Sequence, residues 1–515
     1  MKTIVNILTI LFAVSFLNGC NHTTEPETKY DGTKPVRTVI AGKVIDPPED
    51  NTTLMFIVND LATARQLISY SDIDLKDSTF HFTIERYLPQ DIMIKYFELF
   101  SVFVHPGDSL FVTIDYKLID SGISIDKALQ FSGEPAEFNM LLQKYRAGIK
   151  RRDFDKFYAF QKRATPVEMK HFADSVRDEN ISYLMKFDSL YHPDEELTTY
   201  LKVSVESNYV QDLGFYPFMH ARLNNLSRDD VVTSSYYDFF KEINLPENAI
   251  INPSINTIVN YYRAGYVSQH LIEKLRSENK VRDTIINNKQ RHIFDVEYLP
   301  ALLKFIPEIT EDTLLLQLSL CELYGQRLEG MNYRFFEKNR DVFDKYVTKP
   351  YLREPLLAYY NEVKYKCLKP EIASQAVIND LKNTSAEKIY SRILENNKGK
   401  VIYLDCWETA CSPCRAEMPY SKKLMAKLDT SRVTFVYICF HSKEDAWKAL
   451  LDEWQLGGQH YFADRNQSKY LSKAFSISGF PHYMLIDTKG NIVETGLRPS
   501  FNETYFKIKG LIEKE

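Results

Sequence analysis

Two cysteines, Cys411 and Cys414, stand two residues apart, just after the apolar run VIYLDCW and at the head of the helical pattern CRAEMPYSKKLMAKL. Thiol–disulfide exchange needs one sulfur that is a thiolate near neutral pH and a second close enough to resolve the mixed disulfide it forms. This spacing at the start of a helix meets both demands. Cys411 is predicted at the helix N-terminus, where unpaired backbone N–H groups and the helix dipole favour negative charge. Cys414, one turn inward, is predicted to be shielded and to act as the resolving thiol. Pro413 suits a first helical turn, having a fixed dihedral and no N–H to leave unpaired.

Cysteine pairs with this spacing also form half of zinc sites, but the sequence holds no second pair. The other nearby candidates, Cys406 and Cys439, belong on buried strands, so neither a metal nor a cofactor is expected. Cys321, Cys367, Cys406 and Cys439 lie among apolar neighbours and read as small buried hydrophobes. A Cys321–Cys367 bridge is compatible with the spacing but not deducible from it. His220, His270 and His292 are isolated and read as structural. A peroxidase of the peroxiredoxin type is disfavoured, because Leu404 and Glu408 occupy the positions where such enzymes carry Pro and Thr.

The elements that must position the dithiol follow from periodicity, and the fold class expected is a multidomain chain. Residues 36–126 show short alternating runs separated by turn residues, the pattern of an all-β sandwich. Pro106-Gly107-Asp108 reads there as a plain hairpin turn between two strands. Residues 127–370 change to a helical period and are expected to form an α-helical domain. Leu197, Leu201, Val205 and Tyr209 line one helix face, and Pro193, Pro217, Pro246, Pro253 and Pro307 are expected to mark helix starts or breaks. Residues 371–515 alternate strand and helix patterns, as an α/β domain does, with HYMLID and NIVETGL forming a hairpin across Thr488-Lys489-Gly490.

The first residues are addressed to export. Lys2 precedes an apolar run, Ile4 to Leu17, too short to span a bilayer comfortably, and Gly19 precedes Cys20. Residues 1–19 are therefore expected to be a lipoprotein signal peptide, Cys20 the lipidated residue and 20–35 a polar tether. This places the protein in the cell envelope, lipid-anchored, with Asn21 fitting the periplasmic side of an outer membrane. An ordinary secretory leader with a chance cysteine is the competing reading. Seven cysteines in 515 residues are too few for a disulfide framework. A net charge of -5, from 64 basic and 69 acidic side chains spread along the chain, excludes a basic stripe and with it a nucleic-acid partner.

The run GKVIYLDCWETACSPCRAEMP, with GFPHYMLID roughly 65 residues on, resembles the thioredoxin-like TlpA/ResA family of membrane-tethered bacterial thiol–disulfide oxidoreductases. The resemblance covers about the last quarter of the chain and implies a thioredoxin-like fold for 371–515. It implies Cys411 as the attacking and Cys414 as the resolving half of a redox-active disulfide. It also implies Trp407 as the aromatic beside them, Pro481 as a cis-proline, and Phe480-Pro481 as the edge along which a substrate backbone lies. Asp405 matches the buried acid that some thioredoxins use as a proton relay, an exposed strand-end Asp being the alternative. Two positions depart from the family pattern. Ala410 stands where an aromatic is usual, which would open the sulfur to bulkier substrates, and His482 stands where Thr is common.

The partners implied are disulfide-bearing exported proteins, a membrane thiol reductant for recycling, and the membrane itself through the lipid. Reduction is the direction the resemblance favours. A disulfide oxidase or isomerase of the same fold, and a surface-tethered binding lipoprotein with a passive thioredoxin-like domain, are the alternatives.

Overall fold

The computed structural model describes residues 32–48, 51–150, 152–246, 248–286 and 289–514. Cys20, the 1–19 leader and most of the 20–35 tether lie outside them. Among the described residues no helix is long and apolar enough to cross a membrane.

Among the described residues eight strands come first: β1 (Val36–Ile45), β2 (Thr53–Asp60), β3 (Arg65–Asp72), β4 (Thr79–Arg86), β5 (Gln90–Tyr96), β6 (Glu98–Val104), β7 (Ser109–Asp115) and β8 (Leu129–Gly133). They form two four-stranded sheets, ordered β4-β1-β7-β8 and β3-β2-β5-β6. Alternation buries Ile40 and Val44 from one sheet against Leu54, Phe56, Ile92 and Ile94 from the other, in one core. Strand β8 pairs with β7 and so carries the sheet past residue 126, after two short helices. The Pro106-Gly107-Asp108 turn is not a hairpin: β6 pairs with β5, whereas β7 pairs with β1 and β8, so the turn carries the chain between sheets. Gly107 has φ +95°, and its N–H donates to Thr38 Oγ1 (3.2 Å), fastening the crossing to β1.

The middle of the chain is mostly helical. In the helix Glu195–Asn224 the predicted stripe Leu197, Leu201, Val205 and Tyr209 is buried. Two of the prolines do not break helices: Pro217 lies inside that helix and Pro307 inside Tyr298–Ile309. Pro217 is itself buried, as are Leu213 and Tyr216 in the turn before it, and this packing holds the helix through the missing hydrogen bond. A second difference is an antiparallel pair, β9 (Val281–Ile286) with β10 (Lys289–Phe294), inside the helical segment. The β-branched Val281, Thr284, Ile285 and Ile286 favour a strand locally, and only the neighbouring helical pattern obscures them.

The last domain is a six-stranded sheet flanked by helices. Its strands are β11 (Ala376–Asn379), β12 (Val401–Trp407), β13 (Val433–Cys439), β14 (Gly458–Phe462), β15 (His482–Ile486) and β16 (Ile492–Thr495), in the order β11-β14-β13-β12-β15-β16. The first four run parallel, while β15 and β16 are antiparallel to their neighbours. The central strand β12 is buried along its whole length, as a strand covered on both faces must be. Ile402, Leu404 and Cys406 enter one apolar cluster. Val401, Tyr403 and Trp407 enter another, which runs on without a break into the central helices.

Candidate active site

Strand β12 ends at Trp407, and four residues later the helix Ser412–Ala426 begins with Cys411 as its N-cap. Serine or aspartate usually supplies the acceptor at that position. Here the sulfur of Cys411 does so, accepting the backbone N–H of Cys414 at 3.1 Å. Cys411 and Cys414 are joined by a disulfide with their Cα atoms 5.3 Å apart. The two residues differ in access: Cys411 is half-buried and Cys414 fully buried. The helix N-terminus thus directs its dipole at the outer sulfur, and the charge-stabilising contact is a real N–H donor. The loop before it is held by Thr409 N–H, which donates to Ser442 Oγ at 3.0 Å.

Asp405 lies on β12 between Tyr403 and Trp407, on the strand face that packs toward Cys414. It is fully buried, and neither carboxylate oxygen has a hydrogen-bond partner. Burial, reinforced by the nearby Glu417 charge, pushes its carboxyl well above the usual range. Glu417 is itself satisfied, accepting from Ser500 N–H (3.0 Å) and Ser500 Oγ (2.9 Å). The exposed strand-end alternative for Asp405 is thereby excluded.

The Phe480–Pro481 peptide is cis. Phe480 rests on Phe440 with ring centroids 5.3 Å apart and meets His441 at 6.2 Å. His441 in turn lines a cleft of about 460 Å3 that is bordered by Ala410 and Ser412, the chain neighbours of Cys411. His482 is partly buried with Nε2 unpartnered, and burial lowers its pKa, so the ring is neutral at pH 7.

Trp407 shares an apolar cluster with Cys414. Its ring is 0% exposed and packs on Trp454 with centroids 5.1 Å apart. A side chain without accessible surface offers no face to a substrate, so it supports the loop from beneath. Ala410 borders this cleft and lies near the central helices: a Cβ built on Gly330 would stand 3.8 Å from Ala410 Cα. Beside it, Arg415 pairs with Glu329 Oε1 at 2.7 Å and also donates to the Glu329 carbonyl. Sequence reasoning missed these contacts because their partners lie eighty or more residues apart and neither has a local motif.

The other cysteines among the described residues, Cys321, Cys367, Cys406 and Cys439, are free and buried. Cys321 and Cys367 do not bridge, and burial pushes the Cys367 thiol up to about 12. His220 meets the Gln161 carbonyl, His270 the Tyr266 carbonyl, and His292 lies between Asp229 and Asp283 at 2.7 Å from each. Among the described residues no His, Cys, Asp or Glu group is arranged to hold a metal.

Residues 399–492 match the family model described as thioredoxin-like. Over 142 residues the chain is 26% identical to the thiol–disulfide oxidoreductase ResA of Bacillus cereus, covering 28% of this chain and 75% of that one. It is 31% identical over 121 residues to a thioredoxin-like protein of Bacillus subtilis, covering 23% of this chain and 66% of that one. Among solved structures, the thioredoxin domain of a thiol–disulfide oxidoreductase from Bacteroides vulgatus is 28% identical, covering 23% of this chain and 84% of that one, with a TM-score of 0.22. Residues 399–492 are thus a thioredoxin-like domain, similar in sequence to the ResA-type thiol–disulfide oxidoreductases.

Proposed function

We propose that the protein reduces disulfides of exported proteins through the Cys411/Cys414 dithiol. The observation that carries this reading is the asymmetry of the pair: a half-exposed sulfur capping a helix and accepting an N–H, beside a fully buried partner. In the reduced protein the Cys411 thiolate attacks one sulfur of a partner disulfide. A Cys411–partner S–S bond forms, the partner's S–S bond breaks, and one partner thiolate leaves. Cys414 then loses its proton to Asp405 and attacks the Cys411 sulfur. This forms the intramolecular disulfide and releases the second partner thiolate. Asp405 suits the proton transfer because burial without a hydrogen-bond partner makes its carboxylate a stronger base than a solvated one.

The partner backbone lies along Phe480-Pro481 as an added strand, and Trp407 holds the loop from below. A membrane thiol reductant restores the dithiol. The leader pattern ending in Cys20 supports a lipid anchor in the cell envelope, on the periplasmic side of an outer membrane.

The test is a trap. Reduced full-length Cys414→Ser, incubated with a disulfide-bonded peptide, is expected to gain one peptide mass, mapped to Cys411. A Cys411→Ser control is expected to gain none. An adduct at another cysteine, or no adduct with wild-type turnover absent as well, contradicts the reading.

A further inference from the structure

The cleft beside the dithiol is not made by the thioredoxin-like domain alone. One wall is Ala410, Ser412, His441 and Lys443, and the other is the end of the helix Thr313–Glu329 with the turn after it. Arg327 and Arg415 meet in this cleft with Lys443, against one carboxylate, Glu329, which already pairs with Arg415 at 2.7 Å. The Nε atoms of both arginines are buried without a hydrogen-bond partner. Arg327 has a cation, Arg263, for a neighbour, and that guanidinium is committed to Glu322 at 2.9 Å. On the far side Glu408 stands near His441, and burial raises its pKa toward the neutral form. Arg327 is half-buried on the wall of a cleft whose lining carries excess positive charge, a setting that favours an anion.

We propose that this cleft is a specificity subsite for the carboxylate side chain of an Asp or Glu lying close in sequence to the attacked cysteine of the substrate, held by Arg327 and Lys443. The proposal rests on the disulfide-reducing reading above and narrows its substrates to disulfides with acidic flanks. The chemistry fits the placement: both chain neighbours of Cys411 border the cleft, so a substrate sulfur bound at Cys411 brings its flanking side chains to it. The acidic group also meets donors supplied by the central helices, which gives that domain a part in choosing substrates.

The test uses the full-length protein and three disulfide-bonded peptides, identical except for Glu, Gln or Lys next to the cysteine, with dithiothreitol as reductant. The wild type is expected to favour the Glu peptide over the Gln peptide by about tenfold or more in kcat/KM, and the Lys peptide is expected to be the slowest. In Arg327→Gln the Glu/Gln ratio is expected to fall toward one, and in Arg327→Lys to recover in part. Because each ratio is taken within one protein, a variant that folds poorly leaves it unaffected, and the wild-type peptide series needs no variant. A wild-type ratio of one or below, or an unchanged ratio in Arg327→Gln, overturns the subsite while leaving disulfide reduction standing. Failure to reduce any of the three overturns the functional reading, and the subsite with it.

Discussion

At the scale of single residues, Asp405 joins stability to chemistry. A carboxyl whose folded-state pKa is raised contributes stability fully below its unfolded value near 4, and loses it as pH rises toward the folded value. At neutral pH the buried acid is therefore a burden on the fold. Asp405→Asn is expected to raise the resistance of the C-terminal domain to urea, by more at pH 8 than at pH 5. All three tryptophans, Trp407, Trp447 and Trp454, lie in that domain, so their fluorescence reports its unfolding. The same substitution is expected to slow release of the mixed disulfide by on the order of 100-fold. Trp407→Phe is expected to cost about 2 kcal/mol of stability by the same fluorescence readout and to leave KM for a disulfide peptide unchanged. A large rise in KM would return Trp407 to direct substrate contact.

At the scale of elements, the ties between domains are specific and can be cut one at a time. A Cβ on Gly325 would lie 2.1 Å from the Thr63 carbonyl oxygen, so Gly325→Ala is expected to force the loop before β3 away from its helix, at a cost of about 1–3 kcal/mol in thermal unfolding. His105, between Asp108 and Glu196 at 2.9 Å each, ties the crossover turn to the helix Glu195–Asn224. Burial lowers its pKa, but the two carboxylates outweigh this and hold it near 9. That tie is therefore complete below pH 6.5 and is lost as pH rises through about 9, a trend that Glu196→Gln is expected to flatten in pH-dependent melting.

Periodicity reads elements wherever each one buries a single face, which is why the stripe from Leu197 to Tyr209 was legible. It fails where pairing is decided at long range. Pro106-Gly107-Asp108 is a turn on any reading, but whether β6 and β7 pair is settled by β5 and β1. The dithiol was legible for the same local reason as the stripe: a strand, two cysteines and a helix are contiguous in sequence. Arg327 and Glu329 were not, since nothing near them in sequence points to Cys411.

For the whole molecule, the apolar cluster beneath Trp407 and Cys414 continues into the central helices around Tyr359 and Cys367, so the C-terminal domain is stabilised by what covers it. An isolated fragment of residues 371–515 is expected to lose its tryptophan signal at lower urea than the full chain, because part of that cluster would face water. Identical transitions would mean that the domains rest side by side without sharing a core. The arrangement also sets a cleft lined by both domains beside the dithiol.

The central claim is that the sulfur of Cys411 ionises readily because it caps a helix. Alkylation of the reduced full-length protein with iodoacetamide across pH 4 to 10, mapped by mass to each cysteine, measures this directly. The account predicts that Cys411 reacts first, with a midpoint clearly below the ~8.5 of an ordinary thiol, while Cys414 stays unmodified. A midpoint at or above that value, or earlier modification of Cys414, would contradict it.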